Sequence, residues 1–281
     1  MKRMWKWTLA AVLGAACDAL FPGDARAPGP GVHTVIALGC LNELGAMAGH
    51  AARVVCAFPL EYLYGSLSAD FFMGKRKACA GKRHPHTWEG GLQFYREARG
   101  DRESAYALGF LSHLAADVVA HNFYIPSLFR AYLPATRLGH LYWELRADHL
   151  VGPTYTRVAR EVLDMERLDC DNLLRSLLGG NGPGLKAKRR LYTHSVRLTH
   201  YMCGIHTPPP MGDRVKDFRR FAVLMVGLSL RTAQEVLKDP LSAPPMLMDP
   251  MGRAALKRAW AFRMRQARRR AFRGVLGHLS R

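Results

Sequence analysis

The stretch HLAADVVAHNFYIPSLFRAYLPATRLGHLYWE, residues 113–144, decides the fold of this chain. Its histidine and carboxylate side chains recur at steps of four residues: His113, Asp117 and His121, then His140 and Glu144. Side chains four residues apart share one face of an α-helix. The spacing therefore predicts two facing helices in the core of a bundle. Imidazole and carboxylate groups are zinc ligands, so the pattern indicates a multinuclear metal site.

The simpler interpretation of a His-x-x-x-Asp pair is a hydrogen-bonded pair on a helix surface. This helix is apolar, however, with Leu108, Leu111, Leu114 and Val118 around the polar stripe. Burying an aspartate and two histidines there costs roughly several kcal/mol unless something pairs with them. Metal ions would supply that pairing. The second pair, on the following segment, makes the metal interpretation the better one.

Length, composition and charge set broad limits on the protein. The 281 residues suffice for one large domain or two small ones. Lys and Arg number 41 against 22 Asp and Glu, a net charge of +19. Such a charge favours anionic partners: phospholipid surfaces, nucleic acid or phosphorylated substrates. No long alternating strand pattern or fixed-period repeat is present, so the predicted fold class is all-α, a multi-helix bundle.

The N-terminal residues 1–27 have the layout of a secretory signal peptide. Basic residues precede an apolar run and an A-x-A ending: Lys2, Arg3 and Lys6, then Trp7 to Ala16, then Ala25 to Ala27. The alternative is an uncleaved amphipathic anchor, and Cys17 loosely fits a lipoprotein acylation site. We therefore expect export to the periplasm or medium, with membrane association left open. Six cysteines without a C-x-x-C pair allow one or two disulfides, whose pairing the sequence does not give.

Apolar periodicity and turn residues predict the helices downstream of this segment. The predicted helical ranges are 34–54, 58–70, 87–99, 101–123, 137–150, 153–163, 169–178, 186–203 and 217–238. The last of these is strongly apolar, including Val223 and Leu224, and is predicted to be core.

A basic amphipathic helix is predicted at residues 253–273, which contain nine Lys or Arg and the interspersed Trp260, Phe262, Met264 and Phe272. The simpler interpretation is a solvated terminal helix. The functional interpretation is docking on anionic lipid headgroups. We therefore divide the chain into a helical domain at 28–250 and this basic helix at 251–281.

With His33, Asp70 and His86 added upstream, the order of ligand types resembles the zinc-dependent phospholipase C family. The resemblance is strongest to the branch that includes the N-terminal domain of glycosylphosphatidylinositol-specific phospholipase D. Three-zinc single-strand nucleases are more distant relatives. The resemblance covers roughly residues 28–150, and it implies a helical bundle around a trinuclear zinc site.

The resemblance also implies a ligand set. One zinc would take Asp70, His86, His113 and Asp117, a second His121, His140 and Glu144, and a third His33 with a bridging Asp117. His86 is preferred to the alternative His84 because it lies two residues before Trp88. In relatives the third ion is also held by the backbone of an N-terminal tryptophan. The corresponding position here, five before His33, is Pro28, so we expect two or three zinc ions.

The implied activity is zinc-dependent hydrolysis of phospholipid phosphodiesters, of C or D type, through a zinc-activated water. Asp70 would orient or deprotonate the water, while Asp117 and Glu144 would offset the metal charge. A basic loop would receive the phosphate or headgroup through Lys75, Arg76, Lys77, Lys82 and Arg83, although a solvated loop is the simpler interpretation.

Two alternatives remain at this point. A single-strand nuclease would need aromatic stacking platforms. The candidates for that role are Tyr62, Tyr64, Trp88, Tyr124 and Trp143, which are otherwise core residues. A non-catalytic zinc-stabilised protein that docks on membranes would bind zinc in a closed site without turnover.

Overall fold

The computed structural model describes residues 29–47, 49–72, 85–132, 137–165, 168–178, 183–204 and 217–279. All regular elements within these ranges are helical, which confirms the predicted all-α fold class. The α-helices are Pro30–Asn42 (α1), Gly49–Ala57 (α2), Pro59–Ser68 (α3), Trp88–Glu97 (α4), Asp101–Val119 (α5), Ile125–Ala131 (α6), Arg137–Val151 (α7), Pro153–Asp164 (α8), Leu168–Leu178 (α9), Pro183–Gly204 (α10), Phe218–Lys238 (α11) and Arg253–Leu279 (α12). In these ranges, no helix combines the length and apolar character needed to cross a bilayer.

Helix α5 is the central element of the bundle. Every residue from Ala105 to Val119 is buried, so this helix is covered on all sides. A helix that is buried on every face over most of its length belongs to the core of a large domain. Helices α3 and α11 pack along it, with α4 beside it. Polar side chains that α5 carries are therefore held away from water.

Two glycines allow α3 and α5 to approach closely. A Cβ added at Gly65 would lie 2.0 Å from the Tyr106 carbonyl oxygen, and one at Gly109 would lie 1.9 Å from that of Tyr62. Neither position can hold a side chain without separating the helices. The close approach brings Asp70, which lies just after the end of α3, beside the histidine and aspartate stripe of α5.

The predicted helix over 34–54 is wrong in its extent. Helix α1 begins at Pro30 and ends at Asn42, a short 3₁₀ turn follows at Leu44–Ala46, and α2 begins at Gly49. Proline suits the first helical position because its missing N–H needs no partner there. Gly45 and Gly49 are poor helix formers, and they lie where the predicted helix is interrupted.

The prediction that 217–238 is core is wrong for its outward face. Val223 and Leu224 are each 58% exposed. Helix α11 lies against α5 and α1, so only its inner face is covered. The buried residues on that face are Phe218, Ala222, Ser229, Thr232, Ala233, Val236 and Leu237.

Candidate metal centre

The predicted ligands come from separate elements and converge inside the bundle. His33 lies in the first turn of α1, and Asp70 lies in the 3₁₀ turn Ala69–Phe72 that follows α3. His86 lies two residues before α4, and the remaining predicted ligands lie within residues 113–144. All eight are buried: His33, Asp70, His86, His113, Asp117, His121, His140 and Glu144.

Asp117 lies at the centre of the larger part of this cluster. Its Oδ1 is 3.4 Å from Nε2 of His33, and its Oδ2 is 3.3 Å from Nε2 of His113. Oδ2 also contacts Nε2 of His86. The two carboxylate oxygens therefore face different histidines, an arrangement that suits a carboxylate shared between two ions.

His113 joins Asp117 to Asp70. Its Nε2 lies 3.4 Å from Asp70 Oδ1, and its ring stacks on that of His33 with centroids 3.8 Å apart. Two overlapping groups result, each with ligand atoms within 4.8 Å of one another. One contains His33, Asp70 and His113, and the other contains His86, His113 and Asp117.

The third group lies at the other end of the cluster. It contains His121, His140 and Glu144, whose ligand atoms also lie within 4.8 Å of one another. Nε2 of His140 is 2.9 Å from Glu144 Oε1 on the next turn of α7. The four-residue step that marked this pair in the sequence therefore places both groups together.

A π turn at Ala120–Tyr124 positions His121. The predicted helix over 101–123 does not stop there; it passes through this turn into α6. Pro126 explains the turn, because proline has no N–H and its ring clashes with the carbonyl four residues earlier. Within the turn, the Ile125 N–H bonds to the Ala120 carbonyl instead, five residues back. Such turns recur at functional sites, because they redirect a side chain without ending the helix.

The segment before α12 orients His121 from outside. Its Nδ1 lies 2.7 Å from the Pro250 carbonyl oxygen, so Nδ1 carries the proton and donates. That tautomer leaves Nε2 as the ligand atom, which is the usual arrangement around protein-bound metals. Asn122 donates to the Asp249 carbonyl at 2.8 Å. Gly252 has φ +54, and a Cβ there would lie 2.2 Å from the His121 carbonyl oxygen, so only glycine fits.

Tyr192 on α10 holds Asp70 in a similar way. Its hydroxyl donates to Asp70 Oδ2 at 3.1 Å. Oδ1 is then the oxygen that faces His113. Burial, and then the nearby Asp70 carboxylate, raises the pKa of Tyr192 well above its usual value, so the hydroxyl keeps its proton. Sequence reasoning missed Tyr192, because nothing in its local pattern separates it from a core tyrosine.

Asp148 is a further buried carboxylate beside the cluster. Its Oδ1 accepts the Val32 N–H at 2.9 Å, and Gly31 also donates to the carboxyl. It thereby caps the N-terminus of α1 from α7, joining the helix of His33 to the helix of His140. Burial raises the pKa of Asp148 to about 8. Sequence reasoning missed it, although it extends the four-residue step beyond Glu144.

We expect Asp148→Ala to destabilise the protein by about 1–3 kcal/mol, because it leaves two buried N–H groups at the start of α1 without an acceptor. Asp148→Asn retains an acceptor oxygen and removes a carboxyl whose charged form burial disfavours. Urea unfolding of both variants at pH 7 tests this difference. Equal stability of the alanine and asparagine variants would contradict the capping role.

The charges of the cluster are strongly coupled. Burial lowers the pKa of His113, but the carboxylates of Asp117 and Asp70 outweigh burial and raise it to about 10. Burial alone would raise the pKa of Asp117, but the rings of His113, His121 and His86 hold it well below its usual range. Burial, and then the His113 ring, lowers the pKa of His33. Without ions, the protonated His113 ring is thus held between two carboxylates.

The donor set fits zinc. Several buried atoms of the cluster have no hydrogen-bond partner among the described residues: both ring nitrogens of His33 and His113, and Oδ1 of Asp70 and Asp117. Unpaired buried polar atoms are costly, and histidine nitrogens with carboxylate oxygens are ligands that zinc accepts. The cluster is therefore a candidate site for more than one ion.

Some sequence predictions fall on residues outside the described ranges. These are the alternative ligand His84, the proposed substrate-binding residues Lys75, Arg76, Lys77, Lys82 and Arg83, and the N-terminal residues 1–27. Of the described cysteines, Cys40, Cys56, Cys170 and Cys203 are free. Cys17 and Cys79 lie outside the described residues.

Comparison with known protein families finds a match that covers this cluster. The zinc dependent phospholipase C family model matches residues 32–175, more than half of the chain and a range that contains all eight candidate ligands. The chain belongs to the zinc-dependent phospholipase C family. Membership supports a zinc-dependent hydrolase and confirms the resemblance inferred from the ligand order. Comparisons with curated proteins and with solved structures find no match. Tyr192 and Pro250 lie beyond the matched range.

Proposed function

We propose that this protein is a zinc-dependent phosphodiester hydrolase that acts on phospholipids, as a phospholipase of C or D type. The observation that carries the proposal is the convergence of eight predicted ligands into three buried groups, each with ligand atoms within 4.8 Å. Membership of the zinc-dependent phospholipase C family supports the same reaction and the same substrate class.

Two or three zinc ions are proposed, held as the resemblance implies, with Asp117 shared between ions. Bound zinc would lower the pKa of water toward 7 and withdraw charge from the phosphate. The protein contributes a dry, preorganised cluster in which Asp117 and Glu144 offset the metal charge. The short contacts between His113, Asp117 and Asp70 favour such sharing.

Asp70 is our candidate to orient the attacking water. Tyr192 donates to its Oδ2, which restricts rotation of the carboxyl group and keeps Oδ1 directed toward His113. The basic residues of the loop at 73–84 are proposed to receive the phosphate or headgroup. In the sequence these residues lie between the candidate ligands Asp70 and His86.

The nuclease alternative is weakened by the positions of its candidate stacking residues. Tyr62, Tyr64 and Trp143 are fully buried, and Trp88 and Tyr124 are buried as well. The Trp88 ring donates to the Met248 carbonyl, and Tyr124 donates to that of Trp143, so both serve the packing. None of the five presents a ring face on which a base could stack.

Metal content of the purified protein, measured together with hydrolysis of phosphatidylcholine, tests the proposal. We expect two or three zinc ions per chain and hydrolysis that chelation abolishes and zinc restores. Phosphocholine release would identify C-type cleavage, and choline release D-type cleavage. Zinc without lipid hydrolysis would favour the non-catalytic alternative, zinc with cleavage of single-stranded DNA would favour the nuclease, and absence of zinc would contradict all three.

We further propose that the protein is exported, on the basis of the signal-like residues 1–27. N-terminal sequencing of protein recovered from the periplasm or medium would test both export and cleavage near Ala27.

A further inference from the structure

Helix α12 has an outward face that nothing in the described part of the chain covers. Trp260 is 51% exposed and Met264 is 40% exposed. They are four residues apart and therefore adjacent on one face, which Lys257, three residues before Trp260, and Arg268, four residues after Met264, extend. From this geometry we propose that the outward face of α12 is a docking surface for anionic phospholipid membranes.

The inner face of α12 seats the helix firmly on the bundle. Ala255 and Ala259 are buried, and the helix packs against α6 and the π turn. Arg263 donates to the Arg130 carbonyl of α6 at 3.5 Å. Small buried residues let the helix lie close to its neighbours. The orientation of the outward face is therefore set by packing.

Charge on α12 is of one sign. Residues 253–269 contain seven Lys or Arg and no Asp or Glu. Five of the cations around the apolar pair or beyond it are exposed: Lys257, Arg258, Arg265, Arg268 and Arg269. Each Lys or Arg near an anionic membrane contributes about 1 kcal/mol to binding. This charge matches an anionic surface and repels other basic proteins.

The apolar side chains favour a membrane over a nucleic acid as the partner. Trp260 and Met264 lie one turn apart on the outward face, with cations around them. In interfacial helices, such residues enter the headgroup boundary while cations remain at the phosphates. A phosphate backbone offers no apolar layer for the Met264 side chain.

The docking surface is directly connected to the metal centre. Met248 to Gly252 precede α12, and this segment contacts Trp88, His121 and Asn122. Trp260 lies eight residues beyond Gly252, about 12 Å along a helix. Docking would therefore hold the candidate centre close to the membrane surface. Docking is a property separate from hydrolysis, and it can be measured separately.

The test is co-sedimentation of the full-length protein at 4 °C with phosphatidylcholine vesicles, with and without phosphatidylserine. Two double variants remove the two parts of the surface: Lys257→Glu with Arg268→Glu, and Trp260→Ala with Met264→Ala. Matched controls on α10 are Lys186→Glu with Arg190→Glu, which changes net charge equally, and Tyr201→Ala, which removes an aromatic side chain that is 65% exposed.

We expect the wild type and both controls to bind the phosphatidylserine vesicles and to release them at high salt. The charge-reversal variant should bind at least about thirty-fold more weakly, since two cations are lost and two anions are gained. The apolar variant should also bind more weakly. All variants should hydrolyse a monomeric short-chain phosphatidylcholine at the wild-type rate if the proposed activity is present.

Three outcomes would overturn the docking proposal. The first is no binding of the wild type to anionic vesicles, and the second is an equal loss of vesicle binding in the α12 variants and the α10 controls. The third is that the α12 variants lose binding to a single-stranded oligonucleotide but keep binding to anionic vesicles. Failure of hydrolysis with intact vesicle binding would instead count against the proposed function alone.

Discussion

Asp117→Asn is expected to remove zinc from the centre and to lower phosphodiester hydrolysis by more than about 100-fold. Mutation of residues that only hydrogen-bond to a metal ligand already lowers metal affinity or activity by about 10–100-fold, and Asp117 is a candidate ligand itself. The carboxylate oxygens of Asp117 face His33 on one side and His113 on the other. A carboxamide lacks the charge and the second equivalent oxygen. His33, His86 and His113 would then lie together without the carboxylate that they share. Zinc content by elemental analysis and turnover of phosphatidylcholine measure the two effects.

Asp171→Asn is the matched control for this variant. Asp171, on α9, is also a buried aspartate, but it pairs with Tyr64 of α3 at 2.6 Å and with Arg189 of α10 at 2.8 Å. Its replacement should reduce stability and leave zinc content and turnover per zinc unchanged. If Asp117→Asn kept the wild-type zinc content and activity, Asp117 would not be a shared ligand.

The candidate ligands could be predicted because their steps of four residues are visible in the sequence. His113 and Asp117 share a helical face whatever surrounds them, and the same holds for His140 and Glu144. His33, Asp70 and His86 have no such local pattern. Their positions came from the ligand order of a family, and the structure brings them into the same cluster as His113.

The groups that support the ligands were not predictable in the same way. Pro250 acts through its backbone carbonyl, which every residue possesses, so no residue type marks it. Tyr192 is 122 residues from Asp70, and only the packing of α10 on the bundle brings them together. Asp148 did have a signal, since it continues the step from His140 through Glu144.

The errors in the predicted helices have a similar origin. Apolar content alone indicates that a segment packs somewhere, but not how many of its faces are covered. Helix α5 is covered on every side, whereas α11 leaves Val223 and Leu224 exposed. The π turn was missed because a periodicity argument assumes a constant helical repeat. Pro126 was the available signal for a change of repeat there.

Removal of zinc is expected to lower the melting temperature by about 6–20 °C, because breaking the compensation of a buried charge cluster costs about 3–5 kcal/mol and 1 kcal/mol corresponds to about 2–4 °C in a domain of this size. Asp70, Asp117 and the three histidines around them are buried within one cluster. Scanning calorimetry before chelation, after chelation and after zinc is restored measures the effect. Calcium should not restore stability, since histidine-rich sites disfavour it.

Two variants separate this effect from a general action of the chelator. His200 lies outside the cluster, where it bonds to Thr156 at 2.9 Å, so His200→Ala should keep the chelator-dependent shift. Asp117→Asn should show little or no shift, because it has already lost zinc. A wild-type melting temperature that stays constant while zinc is released would contradict a stabilising role for the ions.

The chelator effect should also grow with pH. In the zinc-free protein the folded pKa of His113 is about 10, above its ordinary value of 6.5. A raised folded pKa contributes stability that is complete below 6.5 and lost as the pH rises through 10. At pH 7 the protonated ring therefore still offsets Asp70 and Asp117 after zinc is removed, and at pH 9 it does so less. With zinc bound, His113 would be a neutral ligand, and this dependence would be absent. We therefore expect chelation to lower the melting temperature more at pH 9 than at pH 7, and a smaller shift at pH 9 would contradict proton–zinc exchange at His113.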